Sequence, residues 1–106
     1  ERAQAIPATP KLHLNAKETQ KFGTRFRVPL GLSDEACETS ITAMNRILAD
    51  TITLRDLYKK SHWQTSGATF YQLHLLFDKH YAEQAELVDF LAERIQILGG
   101  ISVAMA

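Results

Sequence analysis

The sequence predicts an all-α protein built around one helical hairpin, and three observations lead to this prediction. Two long segments carry apolar residues at intervals of three and four, which is the period of an amphipathic helix. The connection between them, Gln64 to Gly67, is so short that the two helices must run antiparallel. The region before the first segment has no sustained period and contains Pro7, Pro10 and Pro29, which break long helices.

The first helix is expected to begin at Ser33-Asp34-Glu35. A serine or aspartate can cap the free N–H groups of the first turn, and acidic side chains suit the positive end of the helix dipole. An apolar stripe then runs from Ile41 to Tyr58, and His62 and Trp63 fall at or just past the last turn. Gly67 is the expected turn residue of the connection.

The second helix is expected from about Ala68 to Leu98. Its apolar stripe is of the kind that packs inside a helical bundle. Gly99-Gly100 is expected to end it, because glycine readily adopts the left-handed conformation that follows many helices. Neither helix can bury its whole apolar surface with one partner, so the hairpin of residues 33–106 must associate or form half of a larger bundle.

Residues 1–32 are predicted to form a basic, largely extended arm. Net charge is zero for the 106 residues, but six bases and two acids fall in residues 1–33, against six bases and ten acids in the remainder. Such an arm can contact anionic phosphates, or it can lie on the acidic surface of its own protein or of a neighbouring subunit. The sequence leaves these two interpretations open.

Length and composition indicate one small domain of ordinary composition, with 45% hydrophobic and 23% charged residues. No apolar run approaches the roughly 20 residues that cross a bilayer, and no signal peptide is visible. The single cysteine, Cys37, excludes an intramolecular disulfide and fits a reducing compartment. We therefore expect a cytoplasmic protein without a membrane partner, associated with the nucleoid if the arm binds DNA.

Five potential metal ligands lie between His62 and Glu93, and four of them form two pairs at i, i+4: His74/Asp78 and Asp89/Glu93. On one helix Asp78 and Asp89 are separated by about 16 Å, so they cannot share an ion. All four share a sector of roughly 100°, and both pairs are centred between Glu83 and Gln84. Two antiparallel copies crossing there would bring the pairs together across a two-fold axis. A solvated acidic face explains the same spacing.

The segment from His62 to Gly100 resembles the Dps family, the DNA-protection-during-starvation proteins, which are ferritin-like. The resemblance rests on His62-Trp63, Leu73-His74, Phe77-Asp78, Ala92-Glu93-Arg94 and Gly99-Gly100, together with Asp89. The ligand spacings of twelve, four, eleven and four residues match the ferroxidase pattern of that family. His80 matches no ligand position and is expected at the surface.

This resemblance implies a ferritin-like four-helix bundle, of which the chain supplies the first two long helices, and a hollow shell of twelve identical subunits. It implies an enzyme that oxidises Fe²⁺, preferably with hydrogen peroxide, and stores the ferric product. His62, His74 and Asp78 would come from one subunit, and Asp89 and Glu93 from its partner. Asp89 and Glu93 would be the main anionic ligands, completed by His62, with His74 and Asp78 as weaker ligands or orienting groups.

Family members continue through two further helices after the double glycine. The resemblance therefore predicts that the remaining helices lie elsewhere, either in a longer form of this chain or in a second chain. The alternative function is that of a nucleoid DNA-binding protein with DNA protection as its main role, acting through the basic arm, since some family members bind DNA and others do not.

Overall fold

The structure is a computed structural model that describes residues 16–104. It contains two α-helices, α1 (Asp34–Gln64) and α2 (Phe70–Ile97), and no strand within those residues. The end of α1 contacts the start of α2, as in the stacked rings of His62 and His74. Asn45, in the first half of α1, bonds to Ile101 and Val103 beyond the end of α2. The predicted antiparallel hairpin is confirmed.

The start of α1 follows the predicted capping pattern. Ser33 is the N-cap residue, and its hydroxyl accepts a hydrogen bond from the N–H of Ala36 at 3.1 Å. Asp34 and Glu35 lie in the first turn, where their negative charges interact favourably with the positive end of the helix dipole. The helix continues through Trp63 to Gln64, so His62 has a regular helical position.

The start of α2 lies two residues later than predicted. Gly67 has a φ of +104°, and its carbonyl accepts a bond from the N–H of Phe70 at 3.1 Å. Ala68 and Thr69 belong to this turn and not to the helix, so the first helical residue is Phe70. Thr69 is the N-cap residue and makes no side-chain capping bond.

The end of α2 is set by Gly99, as predicted. Gly99 has a φ of +87°, and its N–H donates to the carbonyl of Gln96 at 2.9 Å. The N–H of Gly100 donates to the carbonyl of Ile95 at 3.0 Å. These two bonds form the Schellman motif, in which a left-handed residue satisfies carbonyl groups that the last helical turn leaves free.

The described part of the arm, residues 16–32, lies on this helix end. The N–H of Phe26 donates to the carbonyl of Gly99 at 2.7 Å. Arg25 donates from Nε to the carbonyl of Leu98 at 2.9 Å and from Nη1 to Asp34 at 3.0 Å. One arginine therefore joins the end of α2 to the start of α1. Residues 1–15 lie outside the described residues.

The hairpin leaves much of its apolar surface uncovered. Among the described residues only three hydrophobic side chains are buried: Cys37, Leu48 and Ile95. Large apolar side chains on both helices are exposed, among them Leu57 at 55% and Phe90 at 53%. Exposed apolar area of this extent marks contact surface. No helix within residues 16–104 is long and apolar enough to cross a membrane.

We expect Gly99→Ala to destabilise the protein more than Gly23→Ala. Both glycines have positive φ, which costs alanine about 1 kcal/mol. At Gly99 an added Cβ would also overlap the carbonyl oxygen of Phe26, whereas Gly23 has open space around it. Gly99→Ala should lower the free energy of unfolding by more than about 2 kcal/mol in a denaturant titration. Equal losses for the two variants would show that the arm does not pack against this helix end.

Candidate metal centre

Two histidines, one from each helix, meet at the end of the hairpin that carries the connection. The Nδ1 atom of His62 lies 2.6 Å from the backbone carbonyl of His74, and the Nδ1 atom of His74 lies 2.8 Å from the carbonyl of His62. The rings stack with centroids 3.7 Å apart, and the ring of Phe70 lies 5.1 Å from that of His74. Each imidazole is therefore held by the backbone of the other helix.

These reciprocal bonds determine the tautomer of both histidines. A carbonyl oxygen can only accept, so each Nδ1 carries the hydrogen and donates it. In the neutral imidazole the lone pair is then on Nε2, which is free to bind a metal ion. An Nδ1–H bond to a backbone carbonyl is the usual way in which proteins orient a histidine ligand. The same tautomer and the same kind of Nδ1 bond are found in histidines that bind metal ions through Nε2.

Asp78 lies one turn after His74 and forms an ion pair with Lys59 of α1. The Nζ atom of Lys59 donates to Oδ1 of Asp78 at 2.8 Å. This hydrogen bond lowers the pKa of Asp78, partial desolvation opposes it, and the charges of Lys59, His62 and His74 lower the pKa further. Asp78 is consequently a carboxylate at neutral pH, which is the form that binds cations.

Lys59 is the residue at this site that the spacing of the candidate ligands did not predict. It precedes His62 by one helical turn, so its side chain shares the side of α1 that faces Asp78. Its ammonium group also lies 4.7 Å from the ring centre of Tyr81. A lysine one turn before a candidate ligand was the available signal, but it is also a common surface pattern.

Asp89 and Glu93 lie further along α2 and are exposed. About 16 Å of helix separates Asp89 from Asp78, as the spacing predicted. No three His, Cys, Asp or Glu side chains among residues 16–104 come together as a metal-binding group. The structure thus brings His62 and His74 together, places Asp78 one turn away, and leaves Asp89 and Glu93 as a separate pair on the same helix.

The five side chains suit one class of metal. Imidazole nitrogen and carboxylate oxygen are ligands of iron and zinc, and no soft thiolate takes part because Cys37 is buried elsewhere. Neither group of ligands completes a coordination sphere alone. Two separate pairs of candidate ligands on one chain are the arrangement that a site divided between two copies would require.

His80 lies apart from these ligands and is not simply a surface residue. Its ring centroid is 5.1 Å from that of Tyr58, and its side chain is 35% exposed. Its Nδ1 atom lies 3.5 Å from the carboxylate of Glu83. It therefore contacts α1 through Tyr58 and its own helix through Glu83.

Comparison with known proteins gives a consistent result. The ferritin-like domain family matches residues 41–106. A protein from the bpoA2 5′ region of Kitasatospora aureofaciens is 57% identical over 98 residues, which cover 92% of this chain and 65% of that protein. A DNA protection during starvation protein from Halobacterium salinarum is 38% identical over 72 residues, covering 68% of this chain and 40% of that protein.

The DpsC structure from Streptomyces coelicolor superposes with a TM-score of 0.79 and 53% sequence identity, covering 82% of this chain and 51% of that one. The chain spans about half the length of these relatives, from 40% to 65%. All the described regular structure is helical, as this fold requires. The chain belongs to the ferritin-like family and, within it, to the Dps group.

Proposed function

We propose that this protein is a ferroxidase that oxidises Fe²⁺ at sites shared by two subunits and stores the ferric product. The observation that carries the proposal is the pair of reciprocal Nδ1–carbonyl bonds between His62 and His74, which leave Nε2 as the nitrogen of each ring that can bind a cation. His62, His74 and Asp78 of one subunit and Asp89 and Glu93 of the partner would hold the iron, which is the substrate.

The electrostatics of the ligand set favour oxidation. Three carboxylates bind Fe³⁺ more strongly than Fe²⁺, because their attraction grows with the charge of the ion. Imidazole ligands add neutral donors, and a shared site at an interface leaves open positions for the oxidant. Electrons from Fe²⁺ would reduce hydrogen peroxide to water, so that iron storage also removes an oxidant.

The proposed assembly is a hollow shell of twelve subunits with two-fold ferroxidase interfaces. The uncovered apolar faces of α1 and α2 require further packing partners, and this chain covers only 51% of the DpsC chain. Part of the apolar surface would be covered by the remaining bundle helices, and the ligand-bearing face by the second copy. The relatives named for DNA protection during starvation are consistent with a role in stress.

Subunit mixing tests the shared site. We expect little rapid oxidation of Fe²⁺ by peroxide in the variant His74→Ala/Asp78→Asn or in Asp89→Asn/Glu93→Gln, since each loses half of every site. When the two variants are co-assembled at random, about a quarter of the sites should regain all ligands, because half of the pairs are mixed and each mixed pair has one intact site. Stopped-flow absorbance of ferric iron measures the recovered rate.

The matched control for this experiment is Glu38→Gln/Asp50→Asn, which removes one glutamate and one aspartate from exposed positions of α1. It should oxidise Fe²⁺ at the unaltered rate. Activity in either ligand variant alone, or none in the co-assembled mixture, would contradict a site divided between two subunits.

Lys59 should compete with the metal ion for Asp78. Lys59→Met removes a positive charge beside the site, so we expect Co²⁺, used as a probe without redox chemistry, to bind about tenfold more tightly at neutral pH. The pKa of Asp78 should rise at the same time, because the hydrogen bond that chiefly lowers it is absent. The acidic limit of Co²⁺ binding should therefore move to higher pH. Calorimetric titration at several pH values measures both effects.

The neighbouring residue Lys60 provides the control for Lys59. It is exposed, so Lys60→Met removes the same charge without altering the ion pair of Asp78. If the two variants bind Co²⁺ equally, the ion pair with Asp78 has no influence on the site.

DNA binding is a second candidate function, and the exposed cations of the arm favour it. Lys17 and Lys21 are exposed, and the side chain of Arg27 is 86% exposed with its Nε atom 3.7 Å from Asp34. Arg25 is engaged more closely, with Leu98 and Asp34. A relative from Synechococcus that is 40% identical over 72 residues is named a nutrient stress-induced DNA-binding protein. Residues from Gln20 onward hold the helix ends, so a test must leave them intact.

We expect the triple variant Arg2→Gln/Lys11→Gln/Lys17→Gln to bind duplex DNA more weakly. The slope of log affinity against log salt should become shallower by up to about 0.9 for each phosphate that the arm no longer neutralises. Gel-shift titrations at several salt concentrations measure this slope. The control removes the same number of cations from the helices with Arg46→Gln, Lys60→Gln and Lys79→Gln. Unchanged binding by the arm variant, or no DNA binding at low salt, would exclude this function.

A further inference from the structure

A cleft of about 250 Å³ lies where the arm meets the segment that follows α2. It is lined by Gln20, Gln96, Gly100, Ile101 and Ser102. Its walls are held by side-chain bonds to the backbone. Gln20 donates from Nε2 to the carbonyl of Gly99 at 2.9 Å, and Ser102 donates to the carbonyl of Ala92 at 3.2 Å. The cleft is therefore a formed feature of the hairpin.

Tyr71 is a large side chain that the hairpin leaves mostly exposed. It lies in the first turn of α2, and 65% of its surface is exposed to solvent. It lies one turn before His74 and shares the side of α2 that carries Asp78 and Asp89, at about 100° of rotation per residue. A tyrosine in such a position has an apolar ring and a polar end, both of which are best used in a contact.

The ligand pairs of the proposed site define how two copies of α2 would align. His74 and Glu93, like Asp78 and Asp89, are centred between Glu83 and Gln84. Tyr71 and Gln96 have the same centre and lie within about 20° of each other around the helix. An antiparallel crossing that joins the ligands therefore also places Tyr71 of one copy opposite Gln96 of the other.

Ala82 and Ala85 are centred on the same point and lie on the same side of α2. Small side chains at the crossing point let two helices approach closely. Larger residues there would separate the helices and with them the two halves of the metal site. The register is thus supported by residues that are not ligands.

We propose that Tyr71 of each subunit inserts into the cleft formed by Gln20, Gln96, Gly100, Ile101 and Ser102 of its two-fold partner. This inference rests on the proposed function, since it uses the same two-fold axis. The cleft lies one turn beyond the contact of His74 with Glu93, so the inserted ring closes that end of the interface. It also gives the arm a role at the metal centre of the neighbouring subunit, because Gln20 forms one wall.

The chemistry of the cleft suits a phenol. The amide nitrogen of Gln20 donates both to Thr24 and to Gly99, each at 2.9 Å, so its amide orientation is set and its Oε1 atom is left to accept. The phenol O–H is a donor that such an oxygen can bind, and Gly100 and Ile101 supply apolar surface for the ring. The other possible occupants are segments of the same chain outside residues 16–104.

Cross-linking of the assembled protein tests the contact. In a Cys37→Ser background, chains with Tyr71→Cys and chains with Gln96→Cys are co-assembled and treated with a short bismaleimide. We expect a covalent heterodimer at high yield, detected by gel electrophoresis and mass spectrometry. The matched control pairs Tyr71→Cys with Glu86→Cys, which is exposed but lies about 15 Å of helix from Gln96 and should give no such product.

A second pair separates this inference from the proposed function. Chains with Ala82→Cys and chains with Ala85→Cys should form an intersubunit disulfide on oxidation, because their Cα atoms would lie within about 7 Å at the crossing. If that disulfide forms and the pair at Tyr71 and Gln96 does not link, the insertion of Tyr71 is wrong and the two-fold site stands. If neither pair links, the two-fold alignment itself is wrong and the proposed site falls with it.

Discussion

The central constraint on this molecule is that a straight helix holds its side chains at fixed axial positions. Asp78 and Asp89 share one side of α2, but about 16 Å of helix lies between them. No rotamer can bring them to one ion, and the hairpin does not fold α2 back on itself. The proposed metal site therefore needs a second copy, and the two candidate ligand pairs are centred on one point, as such a site requires.

The exposed apolar surface of the hairpin also favours association with further helices or a second copy, for a different physical reason. Two helices have a contact surface only on their facing sides, and here that surface buries Leu48 and Ile95 while Leu57 and Phe90 remain exposed. Exposed leucine and phenylalanine side chains gain about 25 cal/mol for each Å² that leaves water. Burial of these side chains against further helices or a second copy is thus favoured. In the proposed assembly, one side of the hairpin would complete the bundle and the other would carry the ligands.

The sequence predicted the parts of this structure that depend on local chemistry. Ser33 caps α1 and Gly99 ends α2 because hydroxyl capping and positive φ are properties of single residues. The start of α2 was predicted two residues too early. The turn at Gly67 depends on a bond from the N–H of Phe70 to the carbonyl of Gly67, and a backbone bond of this kind cannot be read from the residue types. The contact of Arg25 with Leu98 and Asp34 joins parts of the chain far apart in sequence, so composition could describe the arm only as basic.

The same division holds at the site. Histidine and carboxylate spacing indicated candidate ligands, but the orientation of His62 depends on the carbonyl of His74 twelve residues away. That bond exists because the hairpin brings the two helices into one register, which a pattern along a single helix does not contain. Lys59 was missed for the same reason, since its role comes from its position opposite Asp78 on the other helix.

The ion pair of Lys59 with Asp78 has a consequence for how such a site is assembled. Without a counter-ion, the negative charge of Asp78 would be repelled by the acidic side chains of a second subunit that approaches it. Lys59 neutralises Asp78 within its own chain, so in the proposed assembly the partner's Asp89 would meet a balanced charge rather than a bare anion. An iron ion bound there would replace the charge of the ammonium group with its own larger charge. The proposed site would therefore use Asp78 first in an ion pair with Lys59 and then as a ligand.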